Sequence, residues 1–372
     1  MFWLTFTIAA PIQHWLDVTV VEQLQESVTD RLAEAPEWLV RLLVDGVLGG
    51  VGIVITFVPI LMVFFAVLGF LEDTGYLARA AYVMDRFMHL MGLHGRSFLP
   101  LFLGFGCNVP AVLGARVIES EHGRLLTILL APLVPCSARL VILTLLAPAF
   151  FGPNAIVVSW ALVFLNILVL VTVGVILNHT FFRGEHAAFI MELPLYHMPS
   201  MRTIGMFVWN NTWAFLRKAG TVILIVSVII WTLSAFPGPG VEQSYLAAFG
   251  RSLAPLGEAM GMDWRMIVAL LSSFIAKENA IATLGILYGA GEETKGLTEA
   301  MAVHVSPATA LSFLTVTMLF IPCVATVAVM RQETRSWRWT LFSVVLLLMI
   351  ALGAGILMYH GALWLGLGGQ NA

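Results

Sequence analysis

The three cysteines of this chain, Cys107, Cys136 and Cys323, each stand beside a residue that interrupts a helix. Their settings are Gly106-Cys107-Asn108-Val109-Pro110, Pro135-Cys136 and Pro322-Cys323. Proline lacks an N–H and so frees the carbonyl one turn earlier. A thiol beside a freed carbonyl is a candidate metal ligand, and thiolate selects softer transition metals over Mg²⁺ or Ca²⁺. Packing is the alternative, because cysteine is also a small hydrophobe that suits kinks. Three thiols in apolar settings do not make a secreted disulfide framework. Their spacing is no zinc-finger pattern, and a tight closed site would defeat conduction.

Charge in apolar sequence is the second signal. Lys277 and Glu278 have apolar or small residues on both sides. A charge at the centre of a membrane helix costs ~2.5–3.5 kcal/mol or more, so such residues face a cavity, pair with a partner or mark an ion path. A structural Lys–acid pair is the plainer reading. Arg139 follows Cys136 in an apolar run, placed to neutralise an acid or to cap carbonyls at a helix break. Glu72 and Asp73 end another apolar run; they draw cations to an inner vestibule or simply close the span. There is no H-E-x-x-H, no G-x-S-x-G and no nucleotide-binding P-loop. The histidines His89, His94, His179, His186 and His197 lack ligand-like spacing.

The elements that must position these residues are membrane helices. Of 372 residues, 59% are hydrophobic and 11% charged, against about 25% charged in soluble domains. That excludes a soluble enzyme, a disordered chain and a nucleic-acid binder. The net charge of −3 says nothing about partners. A span needs ~20 apolar residues. Such segments occur at 48–71, 125–150, 155–180, 216–236, 308–330 and 339–365. The opening run, Met1 to Ile12, is short and is expected to be the tail of a span rather than a signal peptide. Two further segments are interrupted: Ser97 to Ile118 at 104–110, and Arg265 to Tyr288 at 277–279. Irregular backbone at membrane depth is tolerated only inside protein or along a wet cavity, so both are expected to be re-entrant.

Residues 17–45 and 75–91 are expected to be interfacial helices. The connectors 72–96, 116–124, 181–218 and 331–338 are basic; 13–47, 237–264 and 289–307 are acidic. Lys and Arg favour the cytoplasmic side. Seven spans, counting the partial first one, plus two re-entrant hairpins place every basic connector inside. The two broken segments also resemble each other. Met91-Gly92 and Arg96 match Met260-Gly261 and Arg265 at an offset of 169, and Asn108 then falls beside the Lys277-Glu278 break. Pro135-Cys136-Ser137-Ala138 is echoed by Pro322-Cys323-Val324-Ala325. The expected fold is an all-α polytopic bundle with two inverted repeats, a recurrent transporter plan. Its expected divisions are 1–47 (partial span and outer connector), 48–150 (first repeat), 151–215 (linking span and inner connector), 216–335 (second repeat) and 336–372 (final span and tail).

The chain resembles the membrane domain of the FeoB family of ferrous iron permeases. The resemblance is carried by Leu71-Glu72-Asp73-Thr74-Gly75-Tyr76 with Met84-Asp85-Arg86, and by Gly104-Phe105-Gly106-Cys107-Asn108-Val109-Pro110-Ala111. It continues in Cys136-Ser137-Ala138-Arg139-Leu140, Ala276-Lys277-Glu278 and Pro322-Cys323-Val324-Ala325-Thr326. It implies gate-type repeats and Fe²⁺ import across a prokaryotic inner membrane, with Fe²⁺ as substrate and no permanently bound cofactor. The family's metal-handling cysteines carry over onto Cys107, Cys323 and Cys136. Asn108, Glu278, Lys277, Arg139, Glu72 and Asp73 would line or gate the path. GTP would act only through a GTP-binding domain or subunit outside this chain. The bilayer and small accessory Feo proteins are further expected partners, nucleic acid is not, and a homo-oligomer is left open. Pro135 and Val141-Ile142 depart from many members near Cys136. The rival readings are a carrier of nucleosides or other organic solutes and a non-transporting scaffold.

Overall fold

The computed structural model describes residues 9, 11–13, 15–31, 36–181, 198–236, 244–288, 297, 300–301 and 305–366. Most of the expected first span, 1–12, therefore lies outside the described residues. Among the described residues there is helix and no strand. In chain order the main helices are α1 Gln23–Arg31, α2 Gly49–Asp73, α3 Tyr76–Leu90, α4 Phe98–Gly104, α5 Asn108–Gly114 and α6 Glu121–Leu130. Next come α7 Ser137–Phe151, α8 Ala155–Phe181, α9 Met201–Phe215, α10 Thr221–Ala235 and α11 Tyr245–Ser252. The last five are α12 Trp264–Ser272, α13 Asn279–Leu287, α14 Pro307–Leu319, α15 Val324–Thr334 and α16 Trp337–Trp364.

Short polar residues start several of them. Ser120, Ser244, Asp263 and Ser306 each accept the backbone N–H three residues on, at 2.9–3.2 Å. Such caps satisfy N–H groups that a helix start leaves open. Among the described residues, four helical runs are long and apolar enough to cross a membrane: Leu39–Asp73, Glu121–Phe181, Pro307–Thr334 and Trp337–Trp364. Thr221–Ala235 is apolar but shorter. The Glu121–Phe181 run turns at Gly152, whose φ of 47° suits glycine alone.

The chain forms two compact units. The first holds Met1–Leu90, His94–Leu99 and His186–Thr232. Its frame is an antiparallel pair: the 35-residue run Leu39–Asp73 against the helical run that starts at Met201. Glycines let the two backbones approach. A Cβ on Gly50 would lie 3.1 Å from Ser227, and one on Gly69 3.2 Å from Phe207. Close approach through small residues is how membrane helices gain packing contacts. The sequence suggested an inner connector up to 218 and a span from 216. Instead the helix runs unbroken over 201–235 through a π turn at Leu216–Gly220. Its Ile204, Val208 and Phe215 are buried, so packing carries the helix across the expected boundary.

The second unit holds Met91–Leu93, Pro100–Glu185 and Leu233–Ala372. Both interrupted segments fold back within it. A Cβ on Gly114 would lie 3.8 Å from the Cα of Pro100, so α5 returns alongside α4. Asp263 and Tyr288, at the two ends of the second segment, share a 3.0 Å hydrogen bond. Halfway in, Ser272 and Thr283 hydroxyls meet at 2.8 Å. Arg116 forms a two-pronged salt bridge with Glu333, its Nε donating at 2.8 Å. The end of the first hairpin and the end of α15 therefore lie side by side.

Two expectations are corrected here. The segments 125–150 and 308–330 read as full-length apolar spans, yet each is broken at the proline–cysteine pair that the sequence marks as helix-interrupting. The first breaks between α6 and α7, through a 3₁₀ turn at Ala131–Leu133 and extended backbone at Val134 and Cys136. The second breaks at Phe320–Cys323, where Phe320 has ψ 162° and Cys323 ψ 157°. Pro135 and Pro322 account for both, since a residue before proline is pushed out of the helical region.

The same element order occurs twice: a long helix, short amphipathic helices, a hairpin, a broken helix and a long apolar helix. Packing repeats with it. Gly92 and Gly261 have φ of 70° and 71°. Gly92 abuts Asn178 of α8, and Gly261 abuts Tyr359 of α16. Gly174 of α8 faces Met91, as Gly355 of α16 faces Met260.

Candidate functional site

The four breaks bring together most of the residues singled out by chemistry, all in the second unit. Each cysteine takes the same local position. Cys107, Cys136 and Cys323 are the N-cap residues of α5, α7 and α15, with extended backbone and ψ of 133°, 163° and 157°. Glu278 is the N-cap of α13. Each of these four therefore stands where a half-helix presents unpaired N–H groups and the positive end of its dipole. All three thiols are free and half-buried. Glu278 is exposed. The Cys323 sulfur lies 3.3 Å from the hydroxyl of buried Thr326.

Proline at each break frees a carbonyl one turn earlier: Gly106 before Pro110, Ala131 before Pro135 and Met318 before Pro322. All three are taken up by the protein. The Gly106 carbonyl accepts from the Ser137 N–H at 3.2 Å and the Ser137 hydroxyl at 2.8 Å. Ala131 accepts from the Val134 N–H at 3.1 Å. The Asn108 amide, turned so that its nitrogen faces the carbonyls, also reaches Ala131 and Gly104, each at 3.2 Å. Met318 accepts from the Asn166 amide at 3.1 Å. The pairing of thiols with open carbonyls therefore does not hold. The carbonyls have donors, and at the cysteines sulfur, not a freed carbonyl, is the candidate ligand atom.

The intramembrane cations do the same work. Arg139 is fully buried, at 0% exposure. Its guanidinium donates to Pro132 at 2.9 Å and Phe320 at 2.5 Å, with a longer contact to Val134 at 3.5 Å. It thus joins the break before Cys136 to the break before Cys323. Lys277, 3% exposed, donates to the Ile321 carbonyl at 2.6 Å and lies 5.1 Å from the centre of the Phe320 ring. Carbonyl partners are the usual solution for a charge at membrane depth. The two hairpins also dock alike on the broken helices: Ser137 N–H on the Gly106 carbonyl, and Val324 N–H on the Phe274 carbonyl at 2.7 Å.

Glu72 and Asp73 lie in the first unit, at the end of α2. One Asp73 oxygen accepts the Ser200 N–H at 2.6 Å, just before α9. Among the described residues, no three of His, Cys, Asp and Glu come together as a group that could hold a metal ion. The thiols Cys107, Cys136 and Cys323 are nevertheless electrostatic neighbours of one another. Sequence reasoning missed Asn166, Ser137 and Thr326. Asn166 had a readable signal, as a lone amide deep in an apolar span. Ser137 and Thr326 are ordinary small residues whose role appears only once the breaks are seen.

Two family models match the chain. The model described as "Nucleoside recognition", named Gate, matches residues 54–150 and 216–337. The model described as "Ferrous iron transport protein B C terminus" matches residues 159–211. The chain is 39% identical to a "Fe(2+) transporter FeoB" of Staphylococcus aureus over 97% of this chain and 55% of the relative. It is 36% identical to one of Methanocaldococcus jannaschii over 94% of this chain and 53% of the relative. It is 38% identical to a "Fe(2+) transport protein A/Fe(2+) transporter FeoB fusion protein" of Porphyromonas gingivalis, over 86% of this chain and 44% of the relative. The chain thus spans about half the length of the curated relatives it matches. No solved structure matches it.

Proposed function

Because this chain belongs to the FeoB family, we propose that it forms the membrane path of a ferrous iron transporter, multi-pass in a prokaryotic inner membrane. The reading rests on one observation above all: three reduced cysteines occupy the N-cap positions of three half-helices, at breaks whose freed carbonyls already have donors. Fe²⁺ is borderline-soft, and sulfur is the ligand type that selects such ions over Mg²⁺ and Ca²⁺. Cys107 and Cys323 would take the ion in turn as it crosses between the two repeats. Cys136 and Glu278 would add contacts, and Asn108 would hold the first gate's backbone. Loose, sequential ligation suits conduction, since an ion must also leave. Glu72 and Asp73 would gather cations at the inner mouth. A GTP-binding domain or subunit and a small accessory Feo protein would regulate the path, the second suggested by the fused relative.

The two repeats are read as inverted, with 48–150 and 216–335 as their gates. The antiparallel first helices, the paired positive-φ glycines and the shared face of Arg116 and Glu333 support this. A nucleoside carrier is the weaker reading. Asn108, Asn166, Arg139 and Lys277 all direct donors at backbone carbonyls, which leaves few of them to read a base or sugar. The test is Fe²⁺ uptake into proteoliposomes under reducing conditions. Cys107→Ser and Cys323→Ser should each weaken apparent affinity about tenfold or more, as loss of metal contacts does. Wild-type uptake in both variants would refute the thiol path.

A further inference from the structure

We propose that Arg139, seconded by Lys277, keeps monovalent cations out of the path. This goes beyond the iron reading but rests on it, because it presumes that ions pass between the breaks.

Carbonyl oxygens and fixed charge decide the matter. Filters that pass K⁺ do so by replacing its water with rings of backbone carbonyls. The breaks in this protein expose comparable carbonyls at Ala131, Pro132, Met318, Phe320 and Ile321. Every one of them already accepts a side-chain donor: Asn108, Arg139, Asn166, Arg139 and Lys277 respectively. A hard monovalent ion therefore finds no oxygen cage. It also meets a guanidinium that cannot lose its proton. Arg139 bonds only to carbonyls, and its Nε is buried without a partner. The thiols of Cys136 and Cys323 act on its charge, Lys277 lies within its reach, and the carboxylate of Glu278 acts on Lys277. Among the described residues Arg139 is bonded to carbonyls and to no carboxylate. A positive side chain at a constriction is a known way to exclude protons and cations. The same charge repels a divalent ion about twice as strongly, and what offsets this for Fe²⁺ is ligation by sulfur, which Na⁺ and K⁺ bind poorly.

A unit charge about 6 Å from the passing ion, at an effective dielectric near 20, changes local occupancy on the order of a hundredfold. The experiment is K⁺ and Na⁺ flux into sealed proteoliposomes holding the full chain, with Fe²⁺ uptake measured in parallel. Arg139→Gln should raise monovalent leak by about that factor over wild type, and Arg139→Lys should not. A role confined to holding the fold would lower Fe²⁺ uptake and leave the vesicles tight. If Arg139→Gln does not yield monodisperse protein, Lys277→Met asks the same question by uncapping Ile321. A monodisperse Arg139→Gln, or failing that Lys277→Met, as tight to K⁺ and Na⁺ as wild type overturns the proposal. Wild-type vesicles that take up no Fe²⁺ overturn the transport reading instead.

Discussion

The Met318 carbonyl depends on a single amide. Residue 322 is proline, so no backbone N–H can reach Met318 in the usual i→i−4 way, and Asn166 donates to it at 3.1 Å. Asn166→Leu keeps the bulk, suits the apolar surroundings of α8 and removes the donor. Two magnitudes compete. Interhelical hydrogen bonds in membranes average only ~0.6 kcal/mol, with a maximum near 1.7, because the unfolded chain also finds partners. A buried acceptor left without a donor costs about 1–3 kcal/mol. Asn166 is 1% exposed, so water is a poor substitute, while its own amide oxygen is buried without a partner and its removal offsets part of the cost, leaving an expected net loss of about 1 kcal/mol. Thr172→Ala is the control on the same helix. Its hydroxyl bonds the Leu168 carbonyl at 2.8 Å, which has its own helical donor, so the change should stay within ~0.5 kcal/mol. Unfolding in mixed micelles by increasing SDS, followed by tryptophan fluorescence, measures both. If Asn166→Leu is no more destabilised than Thr172→Ala, the break is not held by its capped carbonyl, and the account of Pro322 fails.

Gly92→Ala and Gly261→Ala should each destabilise by about 2–5 kcal/mol. A side chain at positive φ costs ~1–2 kcal/mol, and overpacking against Asn178 or Tyr359 adds ~1–3. Gly205→Ala and Gly361→Ala, which face open space, should be neutral or gain up to ~1 kcal/mol of helix propensity. Thermal midpoints in detergent separate the two pairs, and equal behaviour of all four would refute the repeated turn. For topology, Arg116→Cys with Glu333→Cys in a background lacking the native cysteines should cross-link with a short bismaleimide. A failure to cross-link would put residue 116 on the opposite face and undo the re-entrant hairpin. The Arg116–Glu333 pair itself is half open to solvent and should contribute less than ~1 kcal/mol.

Much of the architecture was legible because the bilayer restricts the alphabet. Glycine, proline and charge stand out in apolar sequence, and the clusters at 104–110 and 277–279 mark breaks that the structure contains, whereas Pro59 and Pro148 sit inside continuous helices. The fold-back of both segments was readable because each is interrupted by residues that do not continue an apolar helix, at 104–110 and at 277–279. The breaks inside 125–150 and 308–330 were harder to see. Apolar periodicity continues through Pro135 and Pro322, and a single proline also fits a kinked but continuous helix. What opens the chain there is a set of distant donors, Asn108, Arg139, Asn166 and Lys277, that take the released carbonyls. No local pattern encodes that. The continuous 201–235 helix was missed for a related reason. Arg217 and Lys218 look like an inner flank, but the face packed on α2 is set by Ile204, Val208 and Phe215.

The duplicated frame carries unequal chemistry, and that inequality bears on how an ion could move. Backbone features repeat closely: paired glycines at positive φ, paired hairpin-to-cap hydrogen bonds, and Cys136 matched by Cys323. Side chains at matched positions do not. At the offset of 169, Cys107 falls on Ala276, Asn108 on Lys277 and Val109 on Glu278. The first hairpin thus offers a thiol and an amide where the second offers a cation and a carboxylate. A symmetric frame lets two arrangements of nearly equal energy exist, one open to each side. On the proposed iron path, unequal ligands would keep the ion from seeing the two sides alike. Moving from Cys107 toward Glu278 would take it from a soft donor to a hard one, and sulfur holds a borderline metal more firmly than a lone carboxylate does. Adding a thiol to the second hairpin with Ala276→Cys should flatten that gradient. Fe²⁺ would then dwell longer and leave more slowly, lowering the maximal uptake rate while tightening apparent affinity. If maximal rate and affinity both rise, or neither changes, the gradient does not govern passage.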